Sequence, residues 1–437
     1  MTRAVRRRRR SSLVFAVIAA ALALVATACS DGRIDVLAKP SAGWASFGGN
    51  GANANYAYPV VPDDLKLSWT RPAGGPVTAQ VSIDAGGNVA ASAKAPVGCD
   101  FQVLDQRNGR KNFCKRLGPG SAMNTAFYDQ LGQPYIGKAG EFFAYNGGGA
   151  IRWRASTSGV ALSAKSAGPG RIVLATTGGQ IMLLNAQTGD PATPQLRLRP
   201  KPPKNTDPMA GVDQCASGGP ACAISAPPAV DIASGRVFVN VVPAGAKTSQ
   251  LTAVSYRDPA GKEKLSTMWT ADLGGGMAGP ASLSADGTTV YAFGRDGKLY
   301  AVDAADGSVR WSHDLDGHGF ATLSVSPDGT LVPAGGLGSP LTVLHDDGDH
   351  ASEVARRDDV QMAGVGTQTS AGSLWAVVRE GADSALVLTE FDVKTAKTKR
   401  SLPLPEATGF STGVAVSAVG QLAVATTDGT VYFFSRP

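Results

Sequence analysis

The sequence predicts an all-β fold, an eight-bladed β-propeller of four-stranded antiparallel blades closed by an N-terminal strand. Three observations carry this expectation. Gly and Pro number 54 and 27 among 437 residues, a density that suits many short strands joined by turns. A strand–turn–strand–turn–strand template recurs along the chain. Its turns start near 105, 145, 185, 256, 303, 345 and 392, mostly 40–48 residues apart, the period of a propeller blade.

The chain opens with an address. Arg3 and Arg6 to Arg10 precede an apolar run at 13–25, which is too short to span a bilayer as a helix and fits an export signal. The run ends in Ala26-Thr27-Ala28-Cys29-Ser30, which resembles a bacterial lipoprotein signal. That resemblance implies cleavage after residue 28, lipid on Cys29 and a tether at 29–43. An A-x-A cleavage site releasing a soluble protein is the alternative. Arg9-Arg10 also permits twin-arginine export. The basic balance belongs to this segment. Of 41 basic residues six lie within 1–28, leaving 35 against 35 acidic. A neutral mature chain lacks the footprint that nucleic acid requires.

Five cysteines are present, an odd count. With Cys29 set aside, two local pairs remain. Cys99 and Cys114 flank a turn at 105–109 and are expected roughly opposite each other on a hairpin. Cys215 and Cys222 close a small loop around Gly218-Gly219-Pro220. Two disulfides agree with export to an oxidising compartment. Neither pair has the spacing of a zinc site.

The blades follow in order. Residues 290–311 (VYAFGRDGKLYAVDAADGSVRW) give the clearest repeat, with Asp-Gly turns between alternating strands. Weaker copies run at 101–113, 141–153, 180–196, 251–269, 341–354 and 386–400, and 430–434 closes the series. The eighth unit is one strand short at the C-terminus. Residues 66–71 (KLSWTR) are expected to supply that strand and close the ring, with Trp69 in the place of Trp153, Trp269 and Trp311. These tryptophans are read as packing between blades.

The pattern Ala301, Asp303, Gly307, Trp311 resembles the repeat of PQQ-like, quinoprotein-type propellers. Trp44-Ala45-Ser46-Phe47-Gly48-Gly49-Asn50 resembles the lead-in of the same group. The likeness covers 44–437 and implies one of two functions. One branch holds quinone-dependent dehydrogenases. The other holds BamB-like envelope lipoproteins that act as non-catalytic scaffolds. The vicinal cysteines and convergent acids or amides of the enzymes are not recognisable here, so no cofactor, metal or catalytic residue is assigned.

Other motifs read as structure. His345-Asp346-Asp347-Gly348-Asp349-His350 offers metal-ligand types but occupies a turn position of the repeat. His313 and His318 lie nearby. Asp314-Leu315-Asp316-Gly317 lacks the rest of a calcium loop. Gly409-Phe410-Ser411-Thr412-Gly413 matches a hydrolase elbow but sits in a strand repeat with no later histidine. The insertion at 200–223 is the candidate partner-binding loop, with Arg197, Arg199, Lys201, Lys204 and Met209, and is expected to overhang the channel mouth. The sequence therefore reads as a lipid-anchored, monomeric envelope scaffold that binds envelope proteins. A quinone-dependent dehydrogenase or a small-molecule sensor using the central channel is the alternative.

Overall fold

Short antiparallel hairpins follow one another through the chain in the computed structural model, which describes residues 36–437 apart from 317–319, 336–338 and 381–384. The expected signal peptide 1–28, Cys29 and His318 lie outside the described residues. Sheet 1 comprises Ser82–Ile83, Val89–Ser92, Phe101–Leu104 and Lys111–Lys115, each strand beside the next. Sheet 3 (165–197), sheet 4 (229–271) and sheet 5 (282–314) repeat that order. In sheet 2, Pro134–Tyr145 stands where the others have two strands, with Gly140 at φ 80° in its middle. Sheets 6 (320–362) and 7 (367–403) are joined because Val360, Gln361 and Met362 pair with Glu380, Arg379 and Val378.

Sheet 8 is completed from both ends of the chain. Lys66–Pro72 pairs with Thr430–Ser435, and Trp69 stacks on Phe433 at 5.0 Å. The ring is thus closed by the expected N-terminal strand. The innermost strands of successive sheets are neighbours, and that of sheet 8 returns to that of sheet 1. The strand groups number eight, consistent with eight blades. The turn between the two inner strands of each sheet falls on one face. The connection to the next sheet falls on the other.

The sheets are glued by the repeat residues. The indole Nε1 of Trp69 donates to Gln106 O of sheet 1, Trp153 to Ala186 O of sheet 3 and Trp269 to Ala304 O of sheet 5. Each ring lies on the turn glycine of its neighbour. A Cβ added at Gly109, Gly189 or Gly307 would fall 2.7, 2.4 or 2.6 Å from it. All three glycines hold positive φ, so a side chain there would be strained as well as crowded. Aspartate starts the turn because its carboxylate caps it, as when Asp303 accepts the Ala305 amide at 2.7 Å.

Two expectations need correction. The sequence places the tether as far as residue 43, but the chain is docked from Ala38 onward. Ala38 O accepts the Gly170 amide and Pro40 bridges to Asp129. Both disulfides are formed, with Cα–Cα distances of 5.6 Å for Cys99–Cys114 and 5.0 Å for Cys215–Cys222. Cys99 is not opposite Cys114, however. The register sets Gln102 there, and Cys99 reaches it from the preceding loop. That loop is folded back by Arg116, whose guanidinium donates to the carbonyls of Ala95, Pro96 and Gly98.

Candidate functional site

The ring axis is occupied by the protein itself. Residues 44–57 run past the free edges of the inner strands and offer a carbonyl to six of them. The Ile83 amide donates to Trp44 O, Tyr128 to Ala45 O, Val230 to Gly51 O, Leu283 to Ala52 O, Val325 to Ala54 O and Gln368 to Asn55 O, at 2.7–3.1 Å. Tyr56–Ala57 then pairs in parallel with Thr367–Thr369. Sheet 3 contributes a side chain instead. The fully buried Lys165 donates to Asn50 O at 2.7 Å, and also to Ser46 Oγ and Phe47 O. Burial lowers the Lys165 ammonium well below the usual lysine range.

The side-chain amides of this hub donate into the surrounding sheets, while Asn53 Oδ1 is left without a partner. Asn53 Nδ2 donates to Pro228 O and Ala281 O, and Asn55 Nδ2 to Leu323 O. Gln80 Nε2 donates to Asn55 Oδ1 at 2.9 Å, while its Oε1 accepts the Gly48 amide. Asn53 and Asn55 hold φ of 55° and 44°, the left-handed region that asparagine tolerates better than most side chains. Small or turn-forming residues alone fit this thread, and Gly48-Gly49-Asn50-Gly51-Ala52-Asn53-Ala54-Asn55 supplies them. Sequence reasoning noted the lead-in but missed the hub and Lys165. The unbroken run of Gly, Ala and Asn beside Trp44 was the available signal.

The insertion lies on the other face. Its backbone ties run to sheets 3 and 4, where Ala223 N donates to Thr177 O and Val242 N to Ala223 O. Ala216 O meets Arg295 of sheet 5 at 3.5 Å, and Pro208 packs near Gly140 of sheet 2. Met209, Val212 and Ala216 roof a cavity of about 670 Å³ whose floor is Met123, Ala122, Pro119 and Lys94. The five candidate loop residues separate in role. Arg199 turns inward and donates to Val242 O at 2.8 Å and to Pro220 O, pinning the loop. Arg197 reaches Ser158 Oγ at 3.3 Å. Met209 faces the cavity, and Lys201 and Lys204 are exposed.

The remaining motifs are turns and strands. Asp346 accepts Tyr291 Oη at 2.5 Å, Trp311 Nε1 at 2.9 Å and the Gly348 amide at 2.8 Å, so it is a structural cap. Burial, with the hydrogen bond to Asp346 and its charge, raises the Tyr291 phenol far above the usual range. His350 pairs with Asp349 at 2.7 Å on the surface, which raises the imidazole. Ser411 belongs to the inner strand Ser411–Val416, and a Cβ at Gly413 would fall 2.8 Å from Gln80. The glycine therefore serves close approach at the axis.

The fold raises the question of a calcium-held quinone, and the residues present do not fit one. Among the described residues no group of three or more His, Cys, Asp or Glu could hold a metal ion. The buried carboxylates of Asp100 and Asp129 are spent on the amides of Leu117 and Gly118, and of Leu131 and Gln133. At the axis, Gln80 and Asn55 are bonded to each other and to the lead-in, and Asn53 Oδ1 and Trp44 Nε1, the groups left without a partner there among the described residues, are a single acceptor and a donor, not a set of metal ligands.

Comparison with known proteins agrees with this architecture. Residues 253–436 match the family model described as outer membrane protein assembly factor BamB. Protein Rv3035 of Mycobacterium tuberculosis is 31% identical over 416 residues, covering 93% of this chain and 99% of that protein. BamB from Moraxella catarrhalis superposes with a TM-score of 0.58 at 15% identity, covering 85% of this chain and 99% of that one. Quinohemoprotein alcohol dehydrogenase from Comamonas testosteroni superposes with a TM-score of 0.62 at 13% identity, covering 92% and 81%. Both superpositions speak to the fold alone, and they include an enzyme and an assembly factor. With its closed ring of repeats and its full-length likeness to the mycobacterial protein, the chain belongs to the family of Rv3035, whose fold is a PQQ-like repeat β-propeller.

Proposed function

We propose that this protein is a lipid-anchored, non-catalytic binding module of the cell envelope that holds an envelope protein on its insertion face. The observation that carries this reading is residues 200–223. They are stapled by Cys215–Cys222 and pinned by Arg199, roof a mostly apolar cavity edged by Lys94 and Arg116, and leave Lys201 and Lys204 exposed. A loop fixed by its own scaffold binds with little ordering cost. An apolar cavity edged by a few cations suits a partner segment with apolar anchors and acidic neighbours. The lead-in favours binding over channel chemistry, because it fills the axis and its carbonyls pair with the inner-strand amides there. The two disulfides fit an oxidising compartment. Anchoring rests on Cys29 and its preceding small residues.

Site-specific photocrosslinking in cells tests the proposal. A photoreactive residue at Lys204 is expected to capture one discrete envelope protein. The same residue at Val309, on an outer strand, is expected to capture none. Equal background at both positions, together with quinone-dependent dye reduction by the purified protein, would overturn the reading in favour of the enzyme.

A further inference from the structure

The face opposite the insertion carries an apolar surface that the binding reading leaves unused. Leu37, Tyr58, Val60, Leu131, Ile232 and Val419 are 37–71% exposed. They come from separate parts of the chain. Leu131, Ile232 and Val419 sit in the inner hairpin turns of sheets 2, 4 and 8. Leu37, Tyr58 and Val60 flank the axial lead-in. All converge on one face. Leu37 packs on Gly170, the Tyr58 carbonyl accepts Ser370 Oγ, and Val60 O lies beside Gly420. At the centre is a bowl of about 490 Å³ lined by Trp44, Tyr56, Tyr58, Phe127, Ile232 and Val416.

The inner turns of this face are free of basic residues, with exposed Lys39 lying beside the sheet 2 turn. The eight inner hairpin turns (84–88, 129–133, 167–170, 231–235, 284–288, 326–329, 370–372 and 417–421) contain no Lys or Arg. Their carboxylates are occupied at home. Asp84 accepts Asn88, Asp129 accepts Leu131 and Gln133, Asp231 accepts Ala233, Asp286 accepts Thr288 and Asp328 accepts Thr330. The insertion face, in contrast, carries Lys94, Arg116, Lys201, Lys204 and Arg295, and one exposed large apolar side chain, Val97. The docked chain also begins on the apolar face. Residues 30–37 separate Cys29 from Ala38, an extended reach of about 32 Å at most.

We propose that the lead-in face rests on a lipid bilayer, with Leu37, Tyr58, Val60, Leu131, Ile232 and Val419 entering the interfacial region around the central bowl. The proposal rests on the anchored reading above. The contact is apolar and aromatic, so it needs no anionic lipid. It gives the anchored protein a fixed orientation, with the insertion facing away from the membrane.

The test uses the full chain, purified with its lipid and incorporated into phosphatidylcholine vesicles, with and without phosphatidylglycerol. An environment-sensitive probe is placed on Leu131→Cys or Val419→Cys, and on Val97→Cys as the control. Circular dichroism confirms that each variant folds. Nitroxide on the lipid acyl chains is expected to quench the probes at 131 and 419 several-fold, alike in both vesicle types, and to leave 97 unaffected. Vesicle flotation with all three probes unquenched would overturn the docked face while keeping the anchor. Failure to float would remove the anchor and the proposal together. Quenching only with phosphatidylglycerol would replace an apolar contact by an electrostatic one. Probes at 131 and 419 that stay unquenched in vesicles, but crosslink to a protein in native membranes, would assign the face to a protein instead.

Discussion

The two faces of this ring are built by opposite strategies. On one face the chain closes the axis with its own residues. Trp44, Asn53 and Asn55 are 0–2% exposed and tied to five different sheets. On the other, residues 200–223 are added to a repeat that does not need them. They are held by Arg199 and a disulfide, and their cations point to solvent. The comparison teaches that stability and recognition are separated in space. Substitutions in the lead-in should act on the fold, and substitutions in the insertion should act on binding.

The largest effects are expected at the axis and the blade seams, at Asn55 and Trp153. Asn55→Ala leaves Leu323 O and Gln80 Nε2 without partners at the axis and puts alanine at positive φ. Unsatisfied groups of this kind cost about 1–3 kcal/mol each, so a loss of about 3 kcal/mol is expected in denaturant melts. A similar loss from removing the insertion would erase the contrast between the faces. Trp153→Ala empties the seam between sheets 2 and 3 and is expected to cost about 3–5 kcal/mol if the cavity stays open, less if Tyr135 and Phe142 collapse into it. Calorimetry of the variant distinguishes the two.

Lys165 gives the comparison a pH signature. Because its native pKa is lowered, the unfolded chain binds more protons between that lowered value and about 10.4. Stability attributable to this group therefore rises with pH across that window, by up to about 1.4 kcal/mol per pH unit. Lys165→Met removes that slope, as melts of both proteins from pH 7 to 10 would reveal. An identical slope in the variant would place the charge elsewhere. The smallest effect is expected at Lys201→Glu with Lys204→Glu. Tm should move by less than about 2 °C, while crosslinking to the partner falls several-fold. Unchanged crosslinking would remove these cations from the interface.

Much of the fold was legible because the repeat writes its own geometry. Asp303, Gly307 and Trp311 mark a turn, a strained glycine and an indole seam. Trp69 announced the missing strand of sheet 8. The hub was not legible, because its bonds join Asn53 and Asn55 to Pro228, Ala281 and Leu323, far apart in sequence and mostly through backbone atoms. No side-chain pattern records such contacts. The pairing of Cys99 with Cys114 could be read, but its register could not. A bulge between Val103 and Leu104 shifts the hairpin, and Arg116 folds the loop before it. Arg197 and Arg199 resembled free cations in the sequence. Neighbouring carbonyls from sheet 4, and Ser158 of sheet 2, take them up in the fold.

Replacing residues 203–221 with a short Gly-Ser linker, then measuring Tm and in-cell partner capture on the same preparation, tests the division of labour most directly. The account predicts a Tm within about 3 °C of the parent and loss of the captured envelope protein. An unfolded ring, or a partner retained at full yield, would contradict it.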